Sequence, residues 1–315
     1  MQQAAASHPE PASEKASLLS YLVFPVTLGL GLLSTAFFSQ QTDSPITVAI
    51  VVSMSAMIVV GLLERIVPYR RDWNVSRGDI GTDFWHTLIN QILLSRALNI
   101  LWVALLAGVT ARLAESYGTT LWPHHWPLIV QLVLMLLIAE FGRYWVHRLA
   151  HRNPWLWRLH AVHHSPARLY FFNAGRVHPL EKALYLVPEV VPFIVLGTNI
   201  ECLAMYATFN SIHGFFQHGN VNVRLGPLNY FFSMAELHRW HHSRLIEESD
   251  RNFGNNLSVW DVAFGTWFLP RDRQVGALGL QADDYPEGYL TQVKAPFQAR
   301  DISKPIVPQP LDAVS

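Results

Sequence analysis

Residues Trp126 to His164 read WPLIVQLVLMLLIAEFGRYWVHRLAHRNPWLWRLHAVHH. The stretch opens as an apolar run to Ile138, continues helically through Glu140 and Tyr144, and delivers His147 and His151 at its far end. Offsets of three and four residues share one helix face, so His147 and His151 aim at a common point, as do His160, His163 and His164. A helix suited to a bilayer therefore ends in two histidine clusters. Downstream, His238-x2-His241-His242 repeats the second cluster, and eleven of the fifteen histidines fall between His147 and His242. Such spacing is metal-site geometry.

Working outward, half of the 315 residues are hydrophobic and only 15% are charged, against about a quarter in ordinary soluble domains. This predicts a membrane protein. Spanning a bilayer takes about 20 apolar residues in a helix, and Leu18 to Phe38, Pro45 to Leu63, a run from Phe84 to Ala111 and the Trp126 segment qualify. Arg96 interrupts the third run, which favours a helix starting near Ala97 with Arg96 snorkelling to the interface. A further apolar region, 183 to 216, is expected to break at Pro188, Pro192 and Gly197 into a short hairpin or a re-entrant pair. Arg65, Arg70, Arg71 and Arg77 follow the second span, which places that end in the cytoplasm. Counting on, all three histidine boxes reach the same side.

The expected fold is all-α: an integral membrane helical bundle of about four spanning helices plus a broken hairpin, with a cytoplasmic helical cap carrying the boxes. The expected organisation is a polar N-terminal tail over 1–17, an N-terminal transmembrane region over 18–125, a catalytic domain over 126–268, and a polar, proline-bearing cytoplasmic tail over 269–315. Residues 1–17 lack the basic start and cleavage site of a secretory signal, so the first apolar segment is expected to remain as an anchor. Lys plus Arg equals Asp plus Glu at 23 each, which gives no overall charge to draw nucleic acid. The single cysteine, Cys202, excludes an intramolecular disulfide framework and any multi-cysteine metal site.

Neutral imidazole suits iron, copper, nickel and zinc. The three boxes offer eight imidazoles, His147, His151, His160, His163, His164, His238, His241 and His242, and His213, His218 and His178 extend the set. A structural zinc is satisfied by four ligands, so the surplus points to two redox metals. Unligated core histidines, zinc storage and metal transport are the competing readings. Transport would place ligands at mid-span, whereas these lie at helix ends. His178 precedes Pro179, where it could cap a helix instead. Glu140, two turns before His147, is a candidate carboxylate partner for a ligand imidazole, as are Glu181, Glu236 and Asp261. There is no Gly-rich phosphate loop, GxSxG elbow or HExxH, and no second soluble domain for haem or flavin. Electrons are expected from another protein.

The segments Tyr144-Trp145-Val146-His147-Arg148-Leu149-Ala150-His151, His160-Ala161-Val162-His163-His164-Ser165, Arg176-x-His178-Pro179-Leu180-Glu181, Phe216-Gln217-His218-Gly219-Asn220, His238-Arg239-Trp240-His241-His242-Ser243 and Asn252-Phe253-Gly254 resemble the fatty acid hydroxylase superfamily, also called the sterol desaturase family. The resemblance covers about residues 130 to 268. It implies a membrane enzyme whose histidines hold two irons and use O2 to oxidise a C–H bond of a lipid, by hydroxylation or alternatively by desaturation. The three boxes and His218 carry over as ligands; His213 and His178 are positions at which relatives differ. Glu140 stands where many relatives have Asp. The resemblance also implies an external ferredoxin, cytochrome b5-like protein or reductase.

Overall fold

The computed structural model describes residues 17–281 and 284–298. Most of the polar N-terminal segment and the final prolines lie outside them. Among the described residues the chain is helical without strands, and four helices are long and apolar enough to cross a bilayer. They are α1 (Leu18–Ser39), α2 (Pro45–Ile66), α3 (Ile80–Tyr117) and α4 (Leu128–Arg152). Ser17 caps α1 by accepting the Ser20 amide, and Pro45 starts α2 at a position whose N–H no helix bond would use. Outward along α1 and α2 stand Leu30, Leu33, Ile50, Val51, Ile58 and Leu62. In a bilayer these apolar side chains meet lipid, the one solvent in which their exposure carries no penalty.

Helix α3 departs from the sequence expectation. It begins at Ile80 rather than near Ala97, because a π-helical segment at His86–Leu94 lets the turns continue past the polar residues. Arg96 is exposed on its outer surface.

Further α-helices follow in the chain. They are α5 (Pro154–His164), α6 (Pro179–Leu196), α7 (Ile200–His218), α8 (Ala235–His241), α9 (Ile246–Ser249), α10 (Val259–Ala263) and α11 (Tyr289–Lys294). The hairpin of α6 and α7 is continuous through Pro188 and Pro192 and breaks only at Gly197, whose φ of 72° is open to glycine. Pro188 packs against α4 at Gly142, where an added Cβ would sit 2.4 Å from the proline ring. The hairpin tip meets the α3–α4 connection, with Trp122 N–H donating to Leu196 O at 2.9 Å. The hairpin therefore runs the full depth of the bundle, since 18 residues of helix rise about 27 Å.

Close packing holds the interior together where apolar burial alone gives little preference over lipid. Gly31 of α1 lets Ile212 of α7 approach to 2.3 Å of where its Cβ would be, and Thr35 and Thr208 hydroxyls pair at 2.8 Å. Buried Glu64, near the end of α2, accepts the amides of Phe171 and Asn220 at 2.7 and 2.8 Å. The spans are thus tied to the loops that carry the boxes. The ends of α2 and α4, the starts of α3 and α6, and the end of α7 gather on this one side.

The stretch after Trp267, expected from sequence as an extended tail, folds back as far as it is described. Val275 and Leu278 are buried with Trp73, Leu169 and Trp240. Gln292 of α11 meets His86 Nε2 at 3.0 Å, and Tyr289 donates to Asn90. Its scattered apolar residues have a groove to fill, which composition alone conceals.

Candidate metal centre

Two groups of imidazoles converge at the box-bearing end. His147, His151, His160, His164 and His241 form one, and His163, His218, His238 and His242 the other; within each, the ligand nitrogens lie within 4.8 Å of one another and every residue is buried. The turn between α4 and α5 makes the first group possible. Asn153 ends α4 and caps α5, accepting the Trp155 and Leu156 amides, while Pro154 occupies the first helical position. α5 then folds back so that His160 Nε2 lies 3.0 Å from His147 Nε2.

Helix rotation divides each three-histidine box between the groups. Each residue advances about 100°, so His160 and His164 share a line while His163 stands about 100° from His164. His160 and His164 meet at 3.0 Å in the first group, and His163 enters the second. The third box mirrors this: His238 and His242 meet at 3.0 Å in the second group, and His241 enters the first. Each three-histidine box supplies two imidazoles to one group and one to the other, while His147 and His151 both enter the first. The groups consequently share a wall, where His164 and His242 stack with centroids 4.6 Å apart.

The second ring nitrogens are held from outside. Nδ1 of His147 meets Phe253 O at 2.7 Å, His163 meets Arg176 O at 3.1 Å, and His241 meets Arg251 O at 2.8 Å. His151 meets Asp250 at 3.0 Å, His160 meets Glu181, and His218 meets Asn173 Oδ1 at 3.0 Å. Asn173 is oriented by its own Nδ2–H donating to Arg168 O at 2.7 Å, so its oxygen faces His218. With an acceptor at Nδ1, each of these six rings is set to carry a proton there, which in the neutral form turns the Nε2 lone pair inward.

This arrangement fits a cation. His147 and His160 present unprotonated Nε2 atoms to each other at 3.0 Å, and facing lone pairs repel unless a positive ion lies among them. Protonation is disfavoured: burial, followed by the neighbouring His160, holds His163 down at about 3. Burial and adjacent imidazoles keep His164, His238 and His242 well below the usual histidine range. Nitrogen donors alone make up both groups, with no carboxylate in either.

One short loop holds two of the six outer contacts. Asn252 adopts φ 55°, an uncommon conformation for a residue with a side chain, and its amide secures it by donating to Leu237 O and Phe268 O and accepting the Phe268 N–H. The turn aims Arg251 O and Phe253 O inward together. Asp261 accepts the Phe253 and Gly254 amides at 2.7 and 2.8 Å. At Gly254 a Cβ would stand 2.2 Å from Leu257 O, so only glycine fits. Glu140 takes the Asn255 and Asn256 amides and the Asn256 side chain. Glu140 and Asp261 therefore touch the loop and no imidazole, whereas Glu181 contacts His160 directly. Glu236 accepts the Leu225 amide and the Asn229 side chain, away from both groups.

Two histidines singled out by sequence are not brought to either group. His213 lies five residues before His218, about 140° round the helix, and is sandwiched between Phe24 and Phe209 with neither ring nitrogen hydrogen bonded. His178 caps α6 through the Leu180 amide, and its Nε2 meets Val293 O at 3.1 Å. Asp250 and Asn173 escaped the sequence reading. Neither stands at helical spacing from a box, and carbonyl partners such as Phe253 O leave no trace in side-chain identity.

A helical bundle with four membrane-length helices, closing over two adjoining groups of histidines that could hold metal, defines the class. The fatty acid hydroxylase family model matches residues 132–266. The chain is 34% identical over 310 residues to ornithine lipid hydroxylase OlsE of Rhizobium tropici, covering 97% of this chain and 92% of that protein. It is 31% identical over 140 residues to human (Homo sapiens) alkylglycerol monooxygenase, covering 44% of this chain and 31% of that one. Methylsterol monooxygenase 1 of Rattus norvegicus is 27% identical over 132 residues, covering 41% and 44%. No solved structure matches. The chain belongs to the fatty acid hydroxylase family.

Proposed function

We propose that the nine grouped imidazoles hold two iron ions and that the chain uses them, with O2 as co-substrate, to hydroxylate a C–H bond of a bilayer lipid. Its relatives are named as hydroxylases and monooxygenases of ornithine lipid, alkylglycerol and methylsterol, and this chain is a lipid-hydroxylating enzyme of their kind. Near full-length similarity to the ornithine lipid enzyme favours a substrate with a polar headgroup. The observation that carries the metal assignment is the set of six outer contacts that fix Nδ1 and leave Nε2 lone pairs facing inward.

Bound iron would supply the electrons and Lewis acidity that O2 activation needs. The protein's own work is to hold the imidazoles in one tautomer, keep them neutral, and exclude water by burying all nine. Asp250, Glu181 and Asn173 act as positioning residues. Substrate enters laterally from the bilayer, consistent with boxes set at the ends of membrane helices. Arg65, Arg70, Arg71 and Arg77 lie on the box side, which supports a cytoplasmic centre. Electrons come from an external donor protein approaching that face.

The test compares lipids, under isotopically labelled O2, from cells expressing the intact chain and its His163→Ala form. A lipid gaining one labelled oxygen only with the intact chain is the expected result. A product lacking two hydrogens and carrying no label would reassign the reaction to desaturation. No difference, with iron-loaded protein supplied with electrons, would contradict the proposal.

A further inference from the structure

Two short segments at the box-bearing end expose apolar side chains and almost nothing else. One is Gly226–Tyr230 with Phe231, the other α10 with Phe264 and Gly265. Leu228, Tyr230, Phe231, Val262 and Phe264 are between 38% and 58% exposed, and neither segment contains a charged residue except Asp261. Asp261 is buried, turned inward to the Phe253 and Gly254 amides and the Thr266 hydroxyl. An exposed apolar patch of this kind marks a surface with a partner. The two segments adjoin. Phe231 O accepts the Ser258 N–H at 3.0 Å, Asn229 O accepts the Trp267 indole N–H at 2.9 Å, and Tyr230 stacks on Trp267 with centroids 4.7 Å apart.

Their depth follows from α4. About 20 residues of helix rise about 30 Å, the thickness of a hydrocarbon core, so a span counted from Leu128 reaches His147. Phe141 and Trp145 lie within it, both exposed on the outer surface. Phe141 meets the Trp260 ring and Trp145 the Phe264 ring, each with centroids 4.9 Å apart. The apolar surface of α10 is therefore continuous with the lipid-facing side of α4, at the same depth. Where hydrocarbon replaces water, backbone groups need partners within the protein. The Val262, Phe264 and Gly265 amides have them in the Ser258, Trp260 and Val262 carbonyls, and the Thr266 and Trp267 amides in Asp261 O. The Phe231 and Phe232 amides both reach Leu228 O at 2.9 Å. Beyond Trp145 stands Arg148, its guanidinium 5.4 Å from the indole centroid, a cation at headgroup level.

We propose that α10 and the 226–231 segment are seated in the box-side leaflet of the bilayer, with acyl chains covering Leu228, Phe231, Val262 and Phe264. Neither segment belongs to a spanning helix, and both lie in the region expected from sequence to be a cytoplasmic cap. The proposal does not depend on which reaction the metals perform. A protein partner on this surface would have to displace the lipid that already reaches Phe141 and Trp145. Seating in the leaflet also bears on the metal centre. α10 presents Val262 outward and Asp261 inward, and Asp261 holds the loop whose Phe253 O meets His147 Nδ1. One short helix thus has lipid on one face and the support of the first metal group on the other.

The test attaches a nitroxide to single cysteines of the full-length protein in phosphatidylcholine vesicles, with Cys202→Ala removing the one native thiol. Phe231→Cys and Phe264→Cys are compared with Leu105→Cys on the outer face of α3 and with Arg271→Cys, an exposed residue after Trp267. Collision with O2, which concentrates among acyl chains, is read against collision with a water-soluble nickel chelate. The ratio of O2 to nickel collisions at 231 and 264 is expected to match that at 105 and to exceed that at 271 several-fold. A ratio as low as that at 271 would overturn the proposal by placing both segments in water. Protection from both reagents would also overturn it, because a second copy or another protein would then cover the surface in place of lipid. Should Phe264→Cys fail to fold, Val262→Cys carries the same comparison.

Discussion

Helices α3 and α4 are both long and apolar, yet none of the most apolar window of α3 is buried whereas 39% of that of α4 is. Hydropathy alone would rank α3 as the better span. The difference lies in where the polar residues fall. Glu140, Tyr144, His147 and His151 follow one another at four, three and four residues, a stripe on one face of α4, and all are buried. α3 carries no such stripe between Ser95 and Tyr117, where no residue is buried. In α4 this polar stripe and the buried Leu132, Met135, Leu136 and Ala139 together face the bundle interior.

That contrast can be broken at several points. The largest effect is expected from His241→Ala, which removes from the first group the one ligand supplied by the third box and should abolish lipid product. Persistent product would show that the exchange of ligands between boxes is unnecessary. Gly254→Ala should follow, because its Cβ would enter the contact distance of Leu257 O and push the loop off His147. We expect a loss of about 3 kcal/mol in stability, read as a lowered unfolding midpoint in detergent. Asp250→Asn keeps the shape but removes the charge at His151 Nδ1, and should weaken metal binding in the first group by about 10- to 100-fold, measured by chelator competition. Leu105→Ala on the outer face of α3, where Leu105 is 60% exposed, should be the mildest, within about 0.5 kcal/mol of the parent. A larger penalty there would mean that α3 is covered by something other than lipid.

The same stripe explains how much could be read in advance. Four spans and three boxes follow from period and hydropathy, because those patterns are local. The division of each three-histidine box between two groups is also latent in the offsets of three and four. His213 shows where local reading stops: proximity in sequence to His218 suggested a shared role, but an offset of five turns it toward Phe24 and Phe209. The outer contacts were least legible. Asp250 and Asn173 reach their imidazoles across 99 and 45 residues, and three of the six outer contacts are backbone carbonyls. Glu140, expected from its spacing as a carboxylate partner of a ligand imidazole, instead grips the 255–257 loop, a partner that helical geometry does not reveal. The prolines of α6 misled for a related reason. A break is the intrinsic expectation, yet the helix continues through Pro188 and Pro192, with Pro188 seated against Gly142.

The most direct measurement of the central claim is the metal count. Full-length protein would be purified from iron-replete cells and its iron and zinc determined per chain, with His163→Ala measured alongside. The account expects two irons per chain in the parent and a clear loss from the second group in the variant, with the first group retained. One metal per chain in the parent, or a count that His163→Ala leaves unchanged, would contradict two adjoining histidine sites.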